Sequence, residues 1–156
     1  MSCDVAMAAY LFLASAGPHG ATIATAPAEI SVAREPLFAD IIRRASGLKG
    51  KVETYRAAGG VKASPTPVAL PGFDTFQSGV GELAALDMKG HLELAQRGVD
   101  GDLKCILKGI SQDLGVKLHD LMAAPTGVAQ DQALRDMAYL LNDNVEVITA
   151  PPAPPA

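Results

Sequence analysis

The residues best suited to chemistry stand in two places. Asp87 and His91 lie four apart in a stretch, 73 to 97, whose apolar residues keep a helical period, and both fall on its apolar side. Side chains at that spacing sit over the same patch of a helix, so a carboxylate and an imidazole here are within reach of each other. Turned toward a core, they must be hydrogen-bonded, protonated or bound to something, because an unpaired buried charge is very costly. One reading is an internal Asp87–His91 hydrogen bond, or a twist at Gly90 that returns both to water. The other is half of a divalent-metal site, which needs two or more ligands from other helices. Glu53, Asp113 and His119 are the candidate donors, although the Glu-x-x-His motif of carboxylate-bridged metal bundles is absent. No other cofactor is implied. The second place is the polar side of the run from Asp102 to Met122, where Cys105, Lys108, Gln112 and His119 follow one another at helical spacing. Cys105 reads as a solvent-facing thiol without a role, or as one that its flanking Lys104 and Lys108 could make reactive. With no strong catalytic motif in the chain, these four residues read as a candidate surface for a protein partner.

The elements that position these groups follow from apolar periodicity. Leu103, Ile106, Leu107, Ile110, Leu114, Leu118 and Leu121 form the longest unbroken helical stripe. Before it, Leu37, Ile41, Ala45, Leu48, Val52 and Tyr55 predict a helix over about 36 to 58, with Pro36 suited to a first turn whose N–H groups have no helical partner. Gly47 and Gly50 weaken that helix, and close approach to a neighbouring helix is the expected reason. Pro65, Pro67 and Pro71 hold 61 to 72 extended, long enough to reach a helix that need not run antiparallel to the first. Phe73, Phe76, Val80, Leu83, Ala84, Met88, Leu94 and Ala95 predict the next helix, over about 73 to 97. A turn at 98 to 101 follows, with Asp100 or Asp102 as the cap of the third helix. Leu134, Met137, Ala138 and Leu141 predict a fourth helix over about 128 to 142. Asn142, Asp143 and Asn144 then read as a turn or frayed end, and Val145 to Thr149 as a short strand or one more helical turn. The architecture expected is all-α: a small four-helix bundle with an extended leader over 1 to 31, a folded domain over 32 to 149 and a Pro-rich tail over 150 to 156.

Cys105 to Gly115, CILKGISQDLG, resembles the histidine-phosphotransfer domains, four-helix bundles that carry their phospho-accepting residue in the form H-x-L-K-G-S-x-x-x-L-G. The match falls at Leu107, Lys108, Gly109, Leu114 and Gly115. The resemblance implies an exposed accepting position at 105, a cation at Lys108 to neutralise a phosphoryl group, and a surface cleared by Gly109 for a partner. Cys105 stands where the family has its histidine, so phosphohistidine relay is not available there, and what the resemblance implies is a degenerate signalling module.

Composition sets the outer bounds. At 156 residues the chain is one domain's length, and with 4% aromatic residues and no Trp its core is aliphatic. A net charge of −4 without any run of Lys or Arg argues against nucleic acid as a partner. Two cysteines 102 positions apart and three histidines give neither a disulfide framework nor zinc-type spacing. Val5 to Ser15 is apolar, too short to span a bilayer and sized for the hydrophobic region of a secretory signal, yet no positive charge precedes it. No stable membrane insertion is expected. The expected compartment is the cytoplasm, or the periplasm or exterior if 1 to 16 or 1 to 26 are removed as a signal peptide. The function expected is non-catalytic: a helical bundle that works as an adaptor or regulatory module through protein–protein contact, with a metal- or cofactor-binding bundle built on Asp87 and His91 as the alternative.

Overall fold

The structure, a computed structural model, describes residues 32–58, 60–98 and 101–150. The leader with its candidate cleavage sites, Cys3, the candidate cap Asp100 and the tail from 151 onward lie outside them. After a short 3-10 turn at Val32–Arg34, four helices follow: α1 Pro36–Ala57, α2 Phe73–Gln96, α3 Leu103–Ala123 and α4 Gly127–Thr149. The described residues contain no strand. The protein is an all-α four-helix bundle, with α1 through α3 within a residue or two of the bounds that periodicity predicts.

α1 packs against α2 and α4, and α3 against the same two, which leaves α1/α3 and α2/α4 as the diagonals. Neighbours run antiparallel. At one end the ring of Tyr55 meets Phe76 edge-on at 5.7 Å. At the other, Arg97 after α2 pairs with Glu35 before α1, at 2.7 Å. Phe38, Ile41, Leu83, Leu94, Leu107, Leu114, Leu134, Met137, Leu141 and Ile148 are fully buried between the helices. Each such side chain contributes about 1.5–3 kcal/mol when taken out of water.

The long linker does not redirect α2. It folds over the end of the bundle, where the side-chain amide of Gln130 pairs with both the N–H and the C=O of Val68, each at 2.9 Å. There the Tyr55 hydroxyl donates to the Pro71 carbonyl at 3.0 Å, and the Gly127 N–H to the Ser64 carbonyl at 3.2 Å. Thr126 opens α4 as its N-cap, its hydroxyl accepting from the Ala129 N–H. Asp102 precedes α3 without a side-chain cap bond.

Two expectations are corrected. α4 does not end near 142: Asn142, Asp143 and Asn144 are helical, and so are Val145 to Thr149. The buried stripe runs on through Leu134, Met137, Leu141, Asn144 and Ile148, and a polar residue in the middle of it disguises the continuation. Gly47 and Gly50 do not serve close approach, since a Cβ on either would meet nothing within 4 Å. The tight glycines are elsewhere. A Cβ on Gly90 would lie 3.2–3.5 Å from Leu107, Phe38 and Ile41, and one on Gly127 would fall 2.0 Å from the Val61 carbonyl oxygen.

These contrasts have opposite consequences for stability. Gly47→Ala, in an exposed helix interior, should stabilise the fold by about 0.5–1 kcal/mol. Gly127→Ala must displace backbone and should destabilise it by about 1–3 kcal/mol. Chemical denaturation followed by circular dichroism measures both, and equal effects would contradict the packing described.

Candidate functional site

Asp87 occupies a core position of α2, in register with Leu83, Gly90 and Leu94, and is 0% exposed. The structure does not pair it with His91. Its Oδ2 accepts a hydrogen bond of 2.8 Å from the Nδ2 of Asn144, which is likewise 0% exposed on α4. The bond crosses the bundle along a diagonal, between two helices whose backbones do not approach. Asp87 Oδ1 and Asn144 Oδ1 are buried with no hydrogen-bond partner among the described residues. Burial pushes the Asp87 carboxyl up to about 7, against the Asn144 N–H, which pulls it down.

His91 turns to the side and is half-buried, its Nδ1 lying 2.6 Å from the Lys104 carbonyl oxygen on α3. A carbonyl only accepts, so Nδ1 carries the proton and donates. That nitrogen ties α2 to α3 and is not presented to a metal. Glu53, Asp113 and His119 are exposed, and among the described residues no three His, Cys, Asp or Glu side chains converge as a metal-ligand set. The two groups that share a patch in sequence thus have separate partners on different helices. The helix period correctly places Asp87 inside, but no spacing rule could name Asn144, 57 positions on.

α4 carries two further buried polar residues that periodicity alone does not mark. Gln130 holds the linker, and Asp131, 5% exposed, accepts from Arg56 of α1 at 3.0 Å and Arg135 at 3.1 Å. Burial alone would raise the Asp131 carboxyl, but the two guanidinium groups outweigh it and hold it below the usual range.

The outward side of α3 holds the other candidate residues. Gln112 and His119 are exposed, Lys108 is half-buried, and Cys105 is half-buried and not a free thiol. A reactive thiolate at Cys105 is therefore set aside. Two apolar residues join this side: Val116 between Gln112 and His119, 53% exposed, and Met122 at the stripe's edge, 57% exposed. A Cβ on Gly109 or Gly115 would meet nothing within 4 Å, which leaves low points along the helix. The signal for Val116 was present in the sequence, as an aliphatic residue off the buried stripe.

An open cleft of about 730 Å³ lies where α1 begins and α2 ends, lined by Leu37, Leu86 and Lys89 and by the Glu35–Arg97–Glu93 ion triad. Its acidic groups are largely spoken for: Arg97 donates to both Glu35 and Glu93, and Arg44 reaches Asp40 at 2.9 Å. No family model, curated protein or solved structure matches this chain.

Removing one member of the diagonal pair should be worse than removing both. Asn144→Ala leaves Asp87 with no donor and should destabilise the bundle by about 1–3 kcal/mol at neutral pH. Combining Asp87→Ala with Asn144→Leu should recover most of that loss, since an apolar replacement strands no polar group. Additive losses in urea denaturation would show that the two residues act independently.

Proposed function

We propose that the protein is a non-catalytic interaction module whose contact surface is the outward side of α3. The observation that carries this reading is Val116, an aliphatic side chain held half in water between Gln112 and His119 on a helix whose other long aliphatic stripe is turned inward. Around it are Lys108, the low points at Gly109 and Gly115, and Met122 at the edge, a mixture of apolar and hydrogen-bonding groups on a rigid element. A partner would gain area from Val116 and Met122 and orientation from Lys108, Gln112 and His119. The open cleft beside α1 offers a ligand less, because most of its charges are already paired within the protein. Single exposed aliphatic residues are ordinary on protein surfaces, so the reading rests on their place in one continuous helical face.

The test separates surface from fold. Val116→Glu and Lys108→Glu should each change stability by no more than about 0.5 kcal/mol, as exposed or partly exposed substitutions do. Both should abolish retention of a partner that the unaltered protein captures and that a control change on α1, Thr54→Glu, leaves bound. Retention by the two α3 variants would remove this surface from consideration.

A further inference from the structure

The geometry points to Asp87 being carried inside the bundle as a neutral carboxylic acid, whose proton closes a two-bond ring with Asn144 and makes the α2–α4 diagonal link sensitive to pH. The argument is one of donors and acceptors. Asn144 Nδ2 supplies one donor to Asp87 Oδ2 at 2.8 Å. What remains are two acceptor oxygens, Asp87 Oδ1 and Asn144 Oδ1, both fully enclosed and both without a donor among the described residues. An ionised carboxylate only accepts, so it cannot satisfy the amide oxygen, whereas a protonated one carries an O–H. A single proton taken from solvent onto Asp87 Oδ1 and directed at Asn144 Oδ1 satisfies both orphans while the existing N–H bond stays in place. No covalent bond breaks, and on release the proton returns to water.

No charged group on the packed elements offsets ionisation. On α2 itself Lys89 is exposed and His91 is engaged with the Lys104 carbonyl. On α1 Arg44 is bonded to Asp40 and Glu82, and Lys49 to Asn142. On α3 Lys108 lies half-buried and Asp113 faces solvent, and on α4 Asp143 is half-buried while Glu146 receives the Asn142 amide. None of these forms a hydrogen bond or ion pair with Asp87. Burial, opposed in part by the Asn144 N–H, raises its carboxyl to about 7 from an ordinary 3.8. A folded-state value above the unfolded one means that the native state holds the proton more tightly. The stabilisation is therefore complete below the unfolded value and is lost as pH rises toward and through about 7.

The experiment is urea denaturation of the full chain from acid to mildly alkaline pH, with Asp87→Asn alongside. An amide at 87 can form the same ring with Asn144 without titrating. The unaltered protein should lose stability as pH rises between the two values, the folding constant falling by up to about tenfold per pH unit, and Asp87→Asn should lack that component. Any pH dependence that arises elsewhere in the chain persists in Asp87→Asn and is separated by the comparison. Isotope-edited infrared spectroscopy of aspartate-labelled protein gives a reading independent of the variant's folding. A protonated-carboxyl band at mildly acidic pH, above the range where exposed aspartates titrate, supports the inference. Only ionised aspartate there, or identical pH profiles for the two proteins, overturns it.

Discussion

A carboxyl and a carboxamide meeting across the diagonal of an otherwise aliphatic interior constrain how the four helices fit together. Leucine, isoleucine and valine stripes are nearly interchangeable, and sliding one helix by a turn against another loses little apolar area. A buried polar pair is different, because it is satisfied in one arrangement and left exposed to a large desolvation penalty in others. Asp87 and Asn144 meet at 2.8 Å only when α2 and α4 have both the observed rotation and the observed register. One turn along α2 from Asp87, Gly90 lets Leu107, Phe38 and Ile41 close in from two other helices. The polar contact and this close three-helix approach therefore occupy neighbouring levels of the bundle.

The ends are secured by different means. Where α1 finishes and α4 begins, the linker is held by hydrogen bonds to backbone atoms, chiefly from Gln130, and by Val61 turned into the core. Asp131 adds an ion pair to Arg56, whose side chain stays about a quarter exposed at 26%. A guanidinium that keeps part of its hydration gives up less than a fully enclosed one, so this pair faces a smaller penalty than a charge at the position of Asp87 would. At the opposite end Glu35, Glu93 and Arg97 form an exposed triad, of the kind that fixes side-chain geometry more than it adds stability.

How far the sequence could be read depends on what each residue's position encodes. α1, α2 and α3 were legible because apolar residues dominate their stripes, with Asp87 the one charged residue buried in that of α2, and their ends are marked by proline, glycine or both. α4 was legible only to Leu141, since Asn142, Asp143 and Asn144 look like a turn until Asp87 is known to lie opposite the third of them. The open setting of Gly50 is encoded locally: the period that puts Leu48 and Val52 inside places Gly50 on the far side of the helix, whereas Gly90 lies within its own stripe. The partner of Asp87, the role of Gln130 and the turning of His91 toward Lys104 were not legible. Each is a contact between separate elements, fixed by how the helices are rotated about their axes, and local spacing carries no information about that. The exposed side of α3 was legible as a face, whereas the half-exposure of Val116 depends on where the neighbouring helices lie around α3.

α3 connects these two levels of description. It packs against both α2 and α4, the helices joined by the diagonal pair, and shows its opposite side to solvent. If the link between α2 and α4 loosens when Asp87 ionises, the buried stripe of α3, with Leu107 against Gly90 and the Ser111 hydroxyl on the Ala84 carbonyl at 2.7 Å, must accommodate the change. Gln112, Val116 and His119 stand on the side of the same helix turned away from those contacts. The buried carboxyl and the outward side of α3 thus lie on opposite sides of one helical layer, with the inner stripe of α3 between them.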